Sequence, residues 1–538
     1  MKKFLEKPAI LLTTLYTIAW SPMLLLRADY WDGWALLNQF VRPDFNWLYL
    51  SQIDPQRLYH YYALIRFTML FPDPLLVTRI IIFASWLISG LVLLYILRRY
   101  LKWNDAAAIL LVLYYLIIPT FFVRFELFLA YYSLANLLFL LACSLSLDIS
   151  RRGFQRAVRE IGAGILFVLS FLVNSFPIFS SAFIALHMYL FAQQHSHQSA
   201  LTTVFAWLKR YFYLLILPVA FLAIKLIYFK PFGDRIEYNE PIIFREGATL
   251  LSTISSFISG YWGGMYTGIF WPFVHSFVLL ERKYFAVGLI IAAVLVYFLF
   301  RRYRALLHDT EADSDFNFGK FCISKGAVIL VAGVALCLIA LFPYVAVGKP
   351  PHIYGYGFGL RHSLLFPLGS ALFIYGAVVA LIRKNIQKGV HIALLSLCIA
   401  FIWYNFFLLD MDWYKQQAIL HELPAVIRDA PRGTLFLFDD EMKGLNWNNR
   451  NISRQEYDGY FELLTGTREY RGAGKDDRGL TATSTVAITV TAGRRDDPRV
   501  LDWLYLKYTE LFKSTDELRP AAKEKLQIML SVTNTQVR

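Results

Sequence analysis

The chain has 538 residues, 57% hydrophobic and only 17% charged, with a mean hydropathy of +0.46; that is too much apolar surface for one water-soluble domain and indicates an α-helical polytopic membrane protein. Its formal charge of +14 does not indicate nucleic acid, because the basic residues fall in short clusters between apolar runs, the pattern of cytoplasmic membrane loops. Cys143, Cys322, Cys337 and Cys398 lie in or beside apolar segments with no CxxC pair and no histidine at metal-ligand spacing, so neither a disulfide framework nor a zinc site is indicated.

Lys2, Lys3 and Lys7 precede an apolar run over about residues 8–26. The run is longer than a signal-peptide core and has no small-x-small cleavage site, so it is expected to stay attached as the first spanning helix. Its basic flank puts the N-terminus in the cytoplasm and the following residues outside. Those residues are Arg27-Ala28-Asp29-Tyr30-Trp31-Asp32-Gly33-Trp34. Carboxylates at a membrane surface have their basicity tuned by desolvation and neighbouring charge, which makes Asp29 and Asp32 candidate catalytic groups. Three apart, they share a face of any helix starting here, and the run to Phe40 can continue as an interfacial amphipathic helix. The purely structural alternative is that one of them only caps that helix.

Further spans are expected at about 75–97, 105–123 and 127–149, with Arg98, Arg99, Lys102, Arg151, Arg152, Arg156 and Arg159 at their cytoplasmic ends. Arg124 and Glu126, at the outer end of the third span, either bind substrate or metal or satisfy each other as an ion pair. The run 161–192 reads as two short crossings broken near Asn174 and Pro177, which keeps Arg301-Arg302-Tyr303-Arg304 and Arg383-Lys384 in the cytoplasm. After a span at about 211–229, residues 247–283 are interrupted by Gly260, Gly263, Gly264, Gly268 and Pro272 and are expected to lie along or dip into the outer leaflet. Spans at about 285–300, 325–346, 363–382 and 389–409 bring the total to about eleven, which leaves the C-terminus outside. Lys225 is the only obvious cation within an expected span.

Residues 1–410 therefore read as a transmembrane domain and 411–538 as a small extracytoplasmic α/β domain, with strands at 434–438 and 485–490 and helices at 454–464, 499–513 and 515–530. A second cluster of candidates lies between the late spans, in Lys349-Pro350-Pro351-His352-Ile353-Tyr354-Gly355-Tyr356-Gly357-Phe358-Gly359-Leu360-Arg361-His362. Lys349, Arg361 and His362 can meet a phosphate, Tyr354 and Tyr356 can stack on sugar faces, and the glycines allow close backbone approach. An arginine that merely snorkels to the interface is the alternative. His60, Arg57, Arg235, Glu237, Glu240, Arg245 and Glu246 either rim the same cavity or are solvated. Asp439, Asp440 and Glu441 follow an expected strand as a cation site or a solvated turn, and Asn451-Ile452-Ser453 matches a glycosylation sequon at a length common by chance.

A cytoplasmic N-terminus, an acidic pair behind the first span, a long first external loop, about eleven spans and an external C-terminal domain together resemble the GT-C glycosyltransferases, membrane enzymes that take sugars from polyprenyl-phosphate donors. The resemblance covers about residues 1–410, chiefly as architecture, with Asp29-Tyr30-Trp31-Asp32 and Arg361-His362 as its motif-like parts. It implies that Asp29 or Asp32 is the catalytic base, that the anomeric carbon is inverted, and that Arg361-His362 contacts the lipid phosphate. A divalent cation can assist the leaving group. Many members have adjacent acids where this chain has Asp-x-x-Asp, which leaves open which aspartate is the base.

The expected protein is a multi-pass enzyme of a bacterial inner membrane. It contacts membrane lipids, a polyprenyl-phosphate-linked sugar and a glycan or lipid acceptor, and no nucleic acid. Two other classes stay open: a lipid-linked oligosaccharide or polysaccharide transporter, which should carry mid-span charges and internal repetition, and a non-catalytic membrane subunit of an envelope-assembly complex.

Overall fold

A computed structural model describes residues 2–30, 33–34, 38, 59–148, 153–195, 199–224, 249–303, 316–318, 321–323, 325–351, 358–428, 430–466, 470–475, 484–492, 500–513 and 515–535. The chain is predominantly helical. Among the described residues seven helices are long and apolar enough to cross a membrane: Lys7–Leu25, Pro74–Arg99, Leu127–Ser146, Phe176–Gln194, Lys283–Arg302, Lys325–Ala346 and Lys384–Ile427. Two bent pairs, Asp105–Ile117 with Pro119–Phe125 (50°) and Ala200–Tyr211 with Tyr213–Ile224 (56°), raise the number to nine if each is one span. The protein is a multi-pass helical membrane protein with fewer such helices among its described residues than the eleven crossings expected.

The shortfall has local causes. The expected span 105–123 bends at Ile118-Pro119, where Pro119 supplies no amide hydrogen and holds the preceding residue at φ −57°, ψ 125°. The chain continues as a 3-10 helix, Pro119–Phe125. The expected span 363–382 shortens to Phe366–Leu381, because residues Phe358–Ser363 form a 3-10 turn instead. The break expected near Asn174 separates Gly153–Phe171 from Phe176–Gln194, but the first of these carries Arg156, Arg159 and Glu160 and is not among the seven.

Residues 250–279 form two helices, Leu250–Met265 and Trp271–Leu279, joined by the π-helical turn Tyr266–Phe270. Gly260, Gly264 and Gly268, which looked like interruptions, are packing positions four residues apart. A Cβ on Gly264 would overlap Leu341, and one on Gly268 would overlap the Phe366 ring, so these glycines let helices approach where larger side chains would hold them apart. The same device binds Lys325–Ala346 to Phe366–Leu381, where a Cβ on Gly376 would sit 2.5 Å from the Leu330 backbone nitrogen.

Helix Lys384–Ile427 has 44 residues and is roughly 66 Å long at about 1.5 Å per residue. That is about twice the ~30 Å hydrocarbon thickness. Its second half therefore leaves the bilayer, and the compositional change at residue 411 falls inside an unbroken helix. Beyond it stands a four-stranded sheet in which β1 (Thr434–Asp440) is parallel to β2 (Arg471–Gly474) and β3 (Ser484–Ala492), and β4 (Ile528–Thr535) is antiparallel to β3, giving the order β2-β1-β3-β4. Helix Arg454–Thr465 starts at a capping box, Ser453 with Glu456, and ends at Gly466 with φ 75°. Ser453 of the apparent sequon is thus engaged as a helix cap. The helix expected to reach 530 stops at Leu526; Gln527 turns the chain at φ 51°, and Ile528–Thr535 continues as an edge strand.

Candidate active site

The site begins where the first helix ends. The last carbonyls of a helix have no partner within it. Here those of Met23 and Leu26, and that of Ala28 beyond, accept hydrogen bonds from the Arg79 guanidinium, while Lys507 Nζ donates to the Leu25 carbonyl at 2.8 Å. Arg79 is fully buried and stands five residues inside helix Pro74–Arg99. It corrects the expectation that Lys225 is the only obvious cation in a span. Charge at a helix C-terminus is favourable when it is positive, so two cations fix the point at which the chain leaves the first helix.

Asp29 lies just past that point, fully buried. The Gly33 amide donates to the Tyr30 carbonyl at 2.9 Å, closing a turn that folds Gly33 under the Asp29 carboxylate; any side chain at 33 would overlap it. The Tyr30 amide donates to Glu126 Oε2 at 3.4 Å, which brings the Glu126 carboxyl to the same turn. Counted as two carboxylates, Asp29 is faced by the Tyr30 and Leu127 amides but has no side-chain donor, and Glu126 Oε1 has no donor. A proton on one acid supplies it. Burial pushes the Glu126 carboxyl well above the usual carboxylate range and the negative charge of Asp29 pushes it further; burial also raises Asp29, while the hydrogen bond from Glu126 and the charge of Arg79 oppose that rise. We therefore assign the shared proton to Glu126, which donates to an ionised Asp29 beside Arg79. The cluster then holds one cation and one anion, the least costly charge state for three buried ionisable groups.

Of the two alternatives for Arg124 and Glu126, the mutual ion pair does not form. The Arg124 guanidinium lies between the rings of Trp20 and Trp86, 4.1 Å from each centroid, with Nε donating to the Phe121 carbonyl at 3.1 Å. The backbone is extended at Glu126 (φ −61°, ψ 134°), which turns the two side chains to different neighbours. Arg124 thus ties helices Lys7–Leu25 and Pro74–Arg99 to the bend, and Glu126 serves Asp29.

The second cluster attaches to the other end of the same segment. Ser363 Oγ lies 2.6 Å from the Thr120 carbonyl, packing the 3-10 turn Phe358–Ser363 against Pro119–Phe125. Gly348, at φ 69°, ends helix Lys325–Ala346, and the Lys349 amide donates back to the Tyr344 carbonyl at 2.8 Å. The His362 ring stacks on Tyr344 at 4.8 Å and hydrogen-bonds the Lys349 backbone. Burial, and then the charges of Arg361 and Lys349, push His362 down to about 3. Lys349, Arg361 and His362 are therefore brought together, with His362 a neutral ring and Arg361 partly exposed. Thr120 and Glu126 are six residues apart, so the two clusters attach to one segment.

His60 is packed against Tyr131 and Tyr61, with ring centroids at 4.3 and 4.6 Å. Beside it Tyr61, Thr68, Thr78, Leu127 and Tyr131, among others, line a small cleft of about 10 Å³, room for about one water molecule. Asp32, Tyr354, Tyr356, Arg245 and Glu246 lie outside the described residues, as do Arg57, Lys225, Arg235, Glu237 and Glu240. Among the described residues no three His, Cys, Asp or Glu side chains converge as metal ligands. Asp440 is neither a cation site nor a solvated turn: Lys415 Nζ reaches its two oxygens at 2.5 and 2.6 Å. Asp439 pairs with Lys475 at the surface.

Sequence reasoning passed over the groups that hold the Asp29 turn from the C-terminal half. Tyr30 Oη donates to the Leu409 carbonyl at 2.5 Å, Trp34 Nε1 to Gln416 at 3.0 Å, and Asn38 Nδ2 to the Gly459 carbonyl at 3.1 Å. Behind them Arg450 bridges Asp412 (Nε, 2.7 Å) and Glu456 (2.6 and 2.7 Å), all three buried. Arg79 had a legible signal, an arginine inside an apolar run; the C-terminal groups had none.

Fold and site define a multi-pass helical membrane protein with a buried carboxyl pair at the end of its first helix. No family model, no curated protein and no solved structure matches the chain.

Proposed function

We propose that the chain is an integral-membrane glycosyltransferase of GT-C type, taking a sugar from a polyprenyl-phosphate donor at the outer face of a bacterial inner membrane. The carrying observation is the carboxyl pair: Asp29, behind the first helix, held beside Glu126 with its oxygens short of donors. An acceptor hydroxyl gives its proton to Asp29 as its oxygen bonds to the anomeric carbon. The bond from that carbon to the donor phosphate breaks with inversion, and the leaving polyprenyl phosphate keeps the electron pair. Arg361 and Lys349 are suited to neutralise it, and Glu126, holding its own proton, keeps Asp29 the ionised member. General-base action contributes about 10²- to 10⁴-fold and phosphate neutralisation a comparable factor.

The basic helix ends support this orientation. Arg98 and Arg99 close helix Pro74–Arg99, the return from the first span, and so lie on the side of Lys7; Arg301 and Arg302 lie there too when Gly153–Phe171 counts as a crossing. Because Asp29 is fully covered, the acceptor reaches it only if the turn opens. The test uses purified protein in nanodiscs with a panel of polyprenyl-phosphate sugars, following release of polyprenyl phosphate. Release that is lost in Asp29→Asn supports the proposal; full activity in a well-folded Asp29→Asn removes it.

A proton-coupled carrier of lipid-linked glycans is the second reading, favoured by Arg79 inside a span next to a carboxyl pair sharing one proton. It predicts pH-driven translocation in proteoliposomes without cleavage of the donor.

A further inference from the structure

The C-terminal sheet and its helices touch the Asp29 turn at several points, and one of these contacts is with the residue next to Asp29. The Arg450 guanidinium uses Nε on Asp412 and its two terminal nitrogens on Glu456, and lies 5.0 Å from the centre of the Tyr30 ring. Tyr30 is the residue after Asp29, and its amide is the one that donates to Glu126. A single residue thus separates this guanidinium from the carboxyl pair.

The two charged clusters differ in a telling way. Arg450 and its two carboxylates are joined by four hydrogen bonds of 2.6 to 3.2 Å, with Gln416 adding a fifth to Asp412 at 2.8 Å. The neighbouring acid pair has no side-chain donor but its own shared proton. A rigid, satisfied shell behind an unsatisfied group is the arrangement that holds reactive geometry in place. Gln416 extends the shell to the far side of the turn by accepting from Trp34 Nε1.

We infer that Arg450 is a positioning residue: by gripping Tyr30 from the C-terminal domain it fixes Asp29 against Glu126, so that the carboxyl pair is complete only with that domain docked. This rests on the proposed function for its consequence in catalysis, but the geometry it asserts can be measured without any reaction. The guanidinium touches neither acid and acts through the Tyr30 ring and the turn.

The test uses the full-length protein in nanodiscs and follows the infrared carbonyl band of the protonated carboxyl, identified by its loss in Glu126→Gln. Arg450→Lys keeps the charge but not the bidentate fork, and Tyr30→Leu removes the ring on which the guanidinium lies. Both are expected to shift or split the band while the protein stays monodisperse. Trp34→Phe covers the case in which Arg450→Lys fails to fold. In a donor-cleavage assay the same variants should lose about a hundredfold in kcat, with KM changed less than about threefold. An unchanged band in the folded variants overturns the inference. A shifted band with no donor cleavage in the parent protein sustains it and removes the glycosyltransferase reading instead.

Discussion

Tyr30 Oη donates to the main-chain carbonyl of Leu409 across 379 residues of sequence, at 2.5 Å. One end of that bond is the turn behind the first helix, and the other is the point where helix Lys384–Ile427 leaves the apolar part of the chain. Asp29 is therefore anchored at once to the beginning of the membrane domain and to the root of the C-terminal one.

A side chain at Gly33 forces the Asp29 carboxylate to move. A methyl group there would overlap Asp29 Oδ2, so Gly33→Ala should displace the carboxylate, cost about 1–3 kcal/mol of stability, and reduce donor cleavage by at least as much as Asp29→Asn. Thermal unfolding and polyprenyl-phosphate release measured on one preparation check both effects.

Glu126 should impose a pH dependence of defined sign. Its carboxyl binds protons more tightly in the folded protein than when unfolded, so its contribution is fully present below the ordinary glutamate range and is lost as pH rises toward the elevated folded value. The apparent Tm should decline through that window on raising the pH, and Glu126→Gln, which keeps a donor to Asp29 without titrating, should remove that part of the slope. Differential scanning fluorimetry across pH 4 to 9 decides; an identical slope in the variant sinks the shared-proton assignment.

Arg79 should be needed for folding itself. Arg79→Met uncovers the carbonyls it caps and leaves the acid pair without its cation, a loss of about 3–5 kcal/mol by analogy with broken buried pairs. The checks are the yield of monodisperse protein and its Tm; Arg79→Lys should recover part of both.

Arg361 and His362 should separate cleanly. Arg361 is partly exposed, so Arg361→Ala should spare Tm while lowering donor cleavage about 10²-fold. His362 is a neutral ring stacked on Tyr344, so His362→Phe should keep more activity than Arg361→Ala. The reverse order would show that the imidazole is the group meeting the phosphate.

The apolar runs, the basic clusters at their ends and the strands 434–438 and 485–490 were legible because each depends on local composition or a short period. Asp29 stood out for the same reason, as an acid directly behind a spanning run. The bend at Pro119 and the stop at Leu526 were missed at the boundaries, where one proline or one left-handed residue outweighs the average of a window.

What the chain alone determined is a many-helix membrane protein with acids at the end of its first span and cations before a late one. Which groups meet was decided only in three dimensions. Glu126 turned from Arg124 to Asp29, Arg79 reached from within its own helix to cap the first, and Arg450 came to Tyr30 from 420 positions away. Side-chain partners chosen across hundreds of residues follow from the packing of whole helices, and no window of sequence contains that information.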